Sequence, residues 1–217
     1  MGTFRSNRTA FFVDGFNLYH SLIEATRDLK GQPTKWLDIG SLLSSYLPVL
    51  GGGARLKTIY YFSALATHMD HRRPGTTARH RLFIECLQAS GIRVELGRFK
   101  KKDVHCTTCN SIKAHYEEKE TDVAISVRLL EAFHMDDADT AVLVTGDTDL
   151  APAVRTAQKL FPTKEICFAF PYKRRNNELT RLVSRHFYNR KERYLRYRLP
   201  DPYTLPSGRK VFKPAGW

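Results

Sequence analysis

The sequence predicts an α/β protein built on a mostly parallel central sheet with helices on both faces. Short strand-like apolar runs alternate with helix-patterned segments along most of the chain, which implies right-handed βαβ crossovers. The runs "AVLV" and "ICFAF" are continuously apolar, as expected of strands buried on both sides. The length of 217 residues and the 42% hydrophobic content suit one such domain with appendages and a real core.

The elements follow in order. "TAFFVDGFN" opens as a strand and breaks at Gly15 into the helix "FNLYHSLIEATRDL", with Phe16, Leu18, Tyr19, Leu22 and Ile23 as its apolar positions. "LDIGSLLSSYLP" is a short helix closed by Pro48 and the glycines 51–53. "LKTIYYFSA" is a strand rich in β-branched and aromatic residues. A basic loop, "THMDHRRPGTT", leads to the helix "ARHRLFIECLQAS", which Gly91 stops. "IRVELGRF" is a third strand, and the residues alone make 100–117 irregular. "EEKETDVAISVRLLEAFH" is expected as a long helix on Val123, Ala124, Val127, Leu129 and Leu130. Then come the strand "TAVLVTG", the helix "DLAPAVRTAQKLF", the strand "EICFAFP", the short helix "NNELTRLV" and the extended "HFYN". This divides the chain into a domain over 1–189 and a basic, aromatic arm over 190–217, expected to be extended or partly disordered.

Composition narrows the function. Thirty-five Lys and Arg against twenty-two Asp and Glu give a formal charge of +13, which favours a polyanionic partner such as RNA, single-stranded or structured. No apolar run is long enough to span a bilayer, and the N-terminus lacks the apolar core of a signal peptide, so a cytoplasmic protein with no membrane partner is expected. A homodimer is allowed by the sequence and not demanded by it. Four cysteines with one close pair suit metal binding better than a disulfide framework.

The acids stand out against that charge. In open parallel sheets functional groups gather beyond the carboxyl ends of the strands. Asp14 directly follows the first strand, and Asp147 and Asp149 follow "AVLVTG", so they share one edge. Asp122 lies near the start of the long helix, where helical spacing puts Glu118 on its face. Converging carboxylates raise one another's pKa unless a cation neutralises them, and oxygen ligands favour Mg²⁺ or Mn²⁺. Such an ion activates water and stabilises phosphoryl charge. Helix capping is the competing reading for Asp14 and Asp147, and Thr121 or Asp122 can equally mark a helix start.

These residues carry a resemblance. "FFVDGFNLYHSL" resembles the opening motif of the NYN domain, a branch of the PIN-like nuclease superfamily. "YEEKETDVAISVRLL" resembles its acidic helix, "VLVTGDTDLAPAV" its third motif, and "AFPYKRRNNEL" the strand and loop that follow. Three motifs occur in order over roughly residues 9–188. The resemblance implies a Rossmann-like fold and metal-dependent RNA cleavage. It makes Asp14, Asp122, Asp147 and Asp149 metal-site acids and Asn17 an orienting amide. Thr145 becomes a hydroxyl behind the ligands, with Glu118 in support. It also implies an inserted hairpin over 98–117 around the cysteine pair. The alternatives are a non-catalytic RNA-binding or regulatory protein that keeps the fold and an oxidoreductase acting on a pyridine-type ring, the latter because some NYN-like members are linked to pyridine-ring hydroxylation. No Gly-x-Gly-x-x-Gly fingerprint offers a dinucleotide seat for that last chemistry.

Cys106 and Cys109 give two thiolates, and His115 or His105 a third ligand, toward a structural Zn²⁺. A reduced thiol pair and a labile disulfide are the alternatives. Cys86 and Cys167 are expected in the core. Arg72 and Arg73, and Lys173, Arg174 and Arg175, each follow a strand and would line a rim for phosphates; each run alone reads more readily as a solvated loop, and their repeated placement after strands favours the rim. Tyr172, Tyr194 and Tyr197 are candidates for stacking on bases or for packing. His20 is expected at the edge of the core.

Overall fold

The computed structural model describes residues 7–105 and 111–217. Strand β1 (Asn7–Asp14) runs through the centre of a seven-stranded sheet. It passes directly into α1 (Gly15–Asp28). Only glycine permits that turn, because a Cβ at Gly15 would stand 2.5 Å from the Phe62 carbonyl oxygen. A short α2 (Ile39–Ser44) and a 3-10 turn at Leu47–Leu50 lead to β2 (Ala54–Ala64). Then come α3 (Thr76–Ala89), β3 (Arg93–His105), β4 (Ile112–Lys119) and α4 (Thr121–His134). The second half adds β5 (Thr140–Val144), α5 (Ala151–Leu160), β6 (Glu165–Phe170), α6 (Asn177–Leu182) and β7 (Arg185–Tyr188).

The strand order is β4-β3-β2-β1-β5-β6-β7, parallel throughout except for the antiparallel β3–β4 pair. Without β4 this is the doubly wound Rossmann order, in which the chain reverses direction across the sheet between its first and fourth strands. Here that switch point lies between β1 and β5. Alternation along β1 feeds two cores. Phe11 and Val13 pack on one face with Leu18, Leu22, Trp36 and Phe83, while Ala10 and Phe12 pack on the other with Ile125, Leu129, Val154 and Leu179. Cys86 and Cys167 are wholly buried, as expected.

Several segments depart from the sequence reading. Within the stretch that read as irregular, residues 100–105 and 112–117 pair as antiparallel strands of a hairpin, with Lys102 facing His115 and Lys100 facing Glu117. Its strands are charged and largely exposed, so no core face imprints an apolar alternation. The hairpin is held by ring contacts instead: His68 stacks on Tyr116 at 4.2 Å, and Phe99 meets His68 at 4.6 Å and Phe16 at 5.6 Å. The acidic helix starts at Thr121, because Glu117 to Lys119 belong to β4. Val123 and Val127, expected on its inner face, are exposed, and Ile125, Leu129, Ala132 and Phe133 are buried in their place. His20, expected at the core's edge, is exposed.

The C-terminal arm is a packed part of the fold. It forms α7 (Lys191–Arg196) and a small antiparallel pair, β8 (Tyr203–Thr204) and β9 (Lys210–Val211). Tyr194 is fully buried, and its hydroxyl bonds to Ser21 at 2.8 Å and accepts from the Tyr172 amide at 3.1 Å. Leu199, Leu205 and Val211 join the same core, so the arm's apolar residues were anchors that its basic composition concealed.

Candidate metal centre

The end of β1 and the loop after β5 lie side by side because their strands are hydrogen-bonded neighbours, with Val13 opposite Val144. Asp14 is only 5% exposed. It accepts from the Asn17 amide at 2.9 Å and from the Thr145 hydroxyl at 2.8 Å. Thr145 also accepts from the Asp147 amide at 3.0 Å, so one hydroxyl fixes the first acid and the loop carrying the second. The Asn17 side-chain oxygen accepts from the Gly146 amide at 3.1 Å, a second tie across the switch point. A Cβ at Gly146 would overlap the Arg174 carbonyl at 1.8 Å, which is why the third motif needs glycine there.

The first turn of α4 brings Asp122 to the same place. Asp14, Asp122 and Asp147 each offer a carboxylate oxygen, and these oxygens lie within 4.8 Å of one another. Among the described residues no Lys or Arg forms an ion pair with any of the three. Burial, and then the charges of Asp147, Asp14, Glu118 and Asp149, push the Asp122 carboxyl up to about 6. Burial also raises Asp14, against its hydrogen bonds from Asn17 and Thr145. One buried and two half-buried carboxylates, with no ion-paired Lys or Arg among the described residues, form a donor set that fits a hard divalent ion. Asp14 and Asp147 do cap helical turns, through Asn17 and Asp149 amides respectively, so capping and convergence coexist.

Other expected site residues fall differently. Asp149 is exposed, lies outside the trio, and donates its amide to Asp147 at 3.0 Å. Glu118 does not share a helical face with Asp122. It ends β4 and accepts from the amide and hydroxyl of Thr121, capping α4 from outside. Lys173 is drawn away from a phosphate rim by ion pairs to Asp28 at 2.5 Å and Glu24 at 3.8 Å. Arg174 packs its backbone on Gly146, beside the acids, and Arg175 lies over the Tyr188 ring at 5.1 Å. Arg72 and Arg73 are exposed on the loop after β2. Tyr194 is a core residue and unavailable for stacking, and the Tyr172 hydroxyl bonds Asp28. Tyr197 is half-buried beneath the guanidinium of Arg193, 5.3 Å from its ring. His115 is exposed on β4, and Cys106 and Cys109 lie outside the described residues.

A cavity of about 450 Å³ adjoins the acids on the α1 side, sharing Gly15 and Phe16 as wall. Its basic residues Lys35 and Arg79 escaped the sequence reading because separate segments supply them and no short motif marks either one. No helix among the described residues is long and apolar enough to cross a membrane.

Comparison with known proteins agrees with this geometry. The family model for the NYN domain matches residues 8–190. A curated relative, 6-hydroxy-3-succinoylpyridine 3-monooxygenase HspA of Pseudomonas putida, is 28% identical over 179 residues, covering 68% of this chain and 54% of that protein. The chain thus spans about half the length of the relative. A Vibrio parahaemolyticus protein of unknown function superposes with a TM-score of 0.56 at 18% identity, covering 88% of this chain and 97% of that one. That likeness is one of fold.

Proposed function

This chain belongs to the NYN domain family, and from that premise we propose that it is a ribonuclease that hydrolyses RNA phosphodiester bonds with Mg²⁺ or Mn²⁺. The family is nuclease-like in its general character, and the acidic trio is compatible with a divalent metal. One observation carries the reading: three carboxylates from β1, α4 and the β5 loop meet at the switch point, and among the described residues no Lys or Arg is ion-paired to them.

Asp14, Asp122 and Asp147 would hold the ion. Bound there, it supplies Lewis-acid stabilisation of phosphoryl charge and lowers the pKa of water. The chain's own contribution is orientation. Thr145 and Asn17 lock Asp14 and the Asp147 loop into one frame, which limits the reorganisation needed when substrate arrives. Arg174, whose backbone packs on Gly146, and Arg175, over the Tyr188 ring, would have to swing toward the acids to meet a flanking phosphate. The high net positive charge attracts the RNA backbone, and that attraction weakens with salt.

The test is cleavage of a mixed RNA and DNA panel with Mg²⁺, Mn²⁺ or EDTA. Asp147→Asn is expected to lose about a hundredfold or more in turnover while its circular dichroism is unchanged. Undiminished cleavage by pure, folded Asp147→Asn protein overturns the assignment. A second reading, hydroxylation of a pyridine-type ring, is favoured by the activity in the name of the Pseudomonas putida relative. It predicts conversion of 6-hydroxy-3-succinoylpyridine, with O2 and a two-electron donor such as NADH supplied, to a hydroxylated product and water, followed by mass spectrometry, with no RNA turnover.

A further inference from the structure

The cavity beside the acids has a composition that the metal centre does not explain. Its walls come from α1, the start of α2, β2, α3 and the C-terminal residues 215–217. Phe16, Tyr19, Tyr61, Phe83 and Trp217 give it aromatic sides. Its charged lining is all of one sign: Lys35, Arg73 and Arg79, with no Asp or Glu.

Among the described residues none of these three cations forms an ion pair, and the Arg79 guanidinium spends its hydrogen bonds on the Pro74 carbonyl and the Thr76 hydroxyl. Hydrogen bonds from Thr77, and more weakly the Arg79 charge, lower the Asp70 carboxyl, so Arg79 has an acid in its vicinity but is not paired with it. Lys35 sits half-buried, with its ammonium 5.8 Å from the centre of the Trp217 ring. Burial, and then repulsion from Arg79 and Arg73, lowers its pKa. An anion entering the cavity would relieve that repulsion, and a flat ring would replace water against the aromatic walls. The volume lies within the range of small-molecule sites, and its polar groups are few and convergent, as such sites require.

We propose that this cavity binds a planar aromatic ring bearing one anionic group, the ring against Phe83 and Trp217 and the anion on Lys35, Arg73 and Arg79. Two sources share that chemistry: a nucleotide of an RNA strand passing the acids, and a free small aromatic acid. The nucleotide source rests on the reading of function above; the cavity's preference for an aromatic anion does not. Gly15, which follows Asp14 in the chain, lines the cavity, and the nucleotide source requires that a strand with its base lodged here also reach the trio.

The protein has two tryptophans, Trp36 and Trp217, and only Trp217 lines the cavity. Its fluorescence is to be followed while the full chain is titrated with 5′-AMP, 5′-UMP, pyridine-3-carboxylate, adenosine and inorganic phosphate. A saturable change with an aromatic anion, absent with adenosine or phosphate alone and lost in Trp217→Phe, is expected. Nucleotide binding identifies the strand as the source, and binding of pyridine-3-carboxylate alone identifies a free acid. Lys35→Met and Arg79→Gln, each checked for folding, are expected to weaken binding about tenfold. Asp147→Asn should leave it unaltered, because Asp147 does not line the cavity. Absence of saturable binding by every aromatic anion, or equal binding of adenosine, overturns the proposal. Failure of the nuclease reading would show separately, as cleavage that survives Asp147→Asn.

Discussion

At the scale of the residue, Asp122 couples the site to pH. Its carboxyl is raised from an ordinary 3.8 to about 6 by burial and by its acidic neighbours. Between those values the folded protein keeps a proton that the unfolded chain has released. The contribution to stability is therefore full below about pH 4 and is lost as pH rises through about 6. In EDTA, the melting temperature of wild type relative to Asp122→Asn is expected to fall across that window. A pH-independent difference would contradict the assigned cause. Metal binding must displace the same proton, so Mn²⁺ affinity should weaken as pH drops below about 6, measurable by calorimetry in buffers of different ionisation heat. Asp14, Asp122 and Asp147 were legible in the sequence because each stands at a strand or helix end that topology brings to one edge. Asp149 stood out for the same reason and lies outside the trio, although its charge adds to the rise that burial imposes on Asp122. Two residues past Asp147, it sits in the helical turn that Asp147 caps, where its side chain faces solvent.

At the scale of the element, the β5 loop is the most tightly specified piece. Gly146 lies against the Arg174 backbone, which cannot swing aside as a side chain would. Gly146→Ala is expected to destabilise the protein by roughly 1–3 kcal/mol and to remove metal-dependent turnover by displacing Asp147. Gly52→Ala is the control, since a Cβ there meets nothing within 4 Å. Urea midpoints for the two variants check the contrast. Parallel strands such as "AVLV" were readable because burial on both faces leaves continuous apolar runs. The β3–β4 hairpin was not readable from periodicity, since its charged faces point to solvent and rings at its base hold it in place. Misreading β4 as the first turn of α4 put Glu118 on the wrong element. Its real part is to accept from Thr121 where the strand gives way to the helix.

At the scale of the whole molecule, the C-terminal segment closes one face of the sandwich. Tyr194 fills a slot between α1 and the β6 end, with its hydroxyl shared by Ser21 and the Tyr172 amide. Tyr194→Ala is expected to cost about 3–5 kcal/mol and Tyr194→Phe about 1–3 kcal/mol, read from denaturant midpoints. A change within error for both would mean that the arm is dispensable. Composition misled here: a basic, aromatic, Pro-containing run read as an extended or partly disordered arm, whereas Tyr194 and Leu199 anchor it in the core. The sheet order has a consequence in time. The trio draws on positions 14, 122 and 147, and it closes only when β5 docks beside β1. On the proposed reading, a chain that has not yet made and docked β5 lacks one of the three carboxylates, so any metal-dependent activity arrives only with the second half of the sheet.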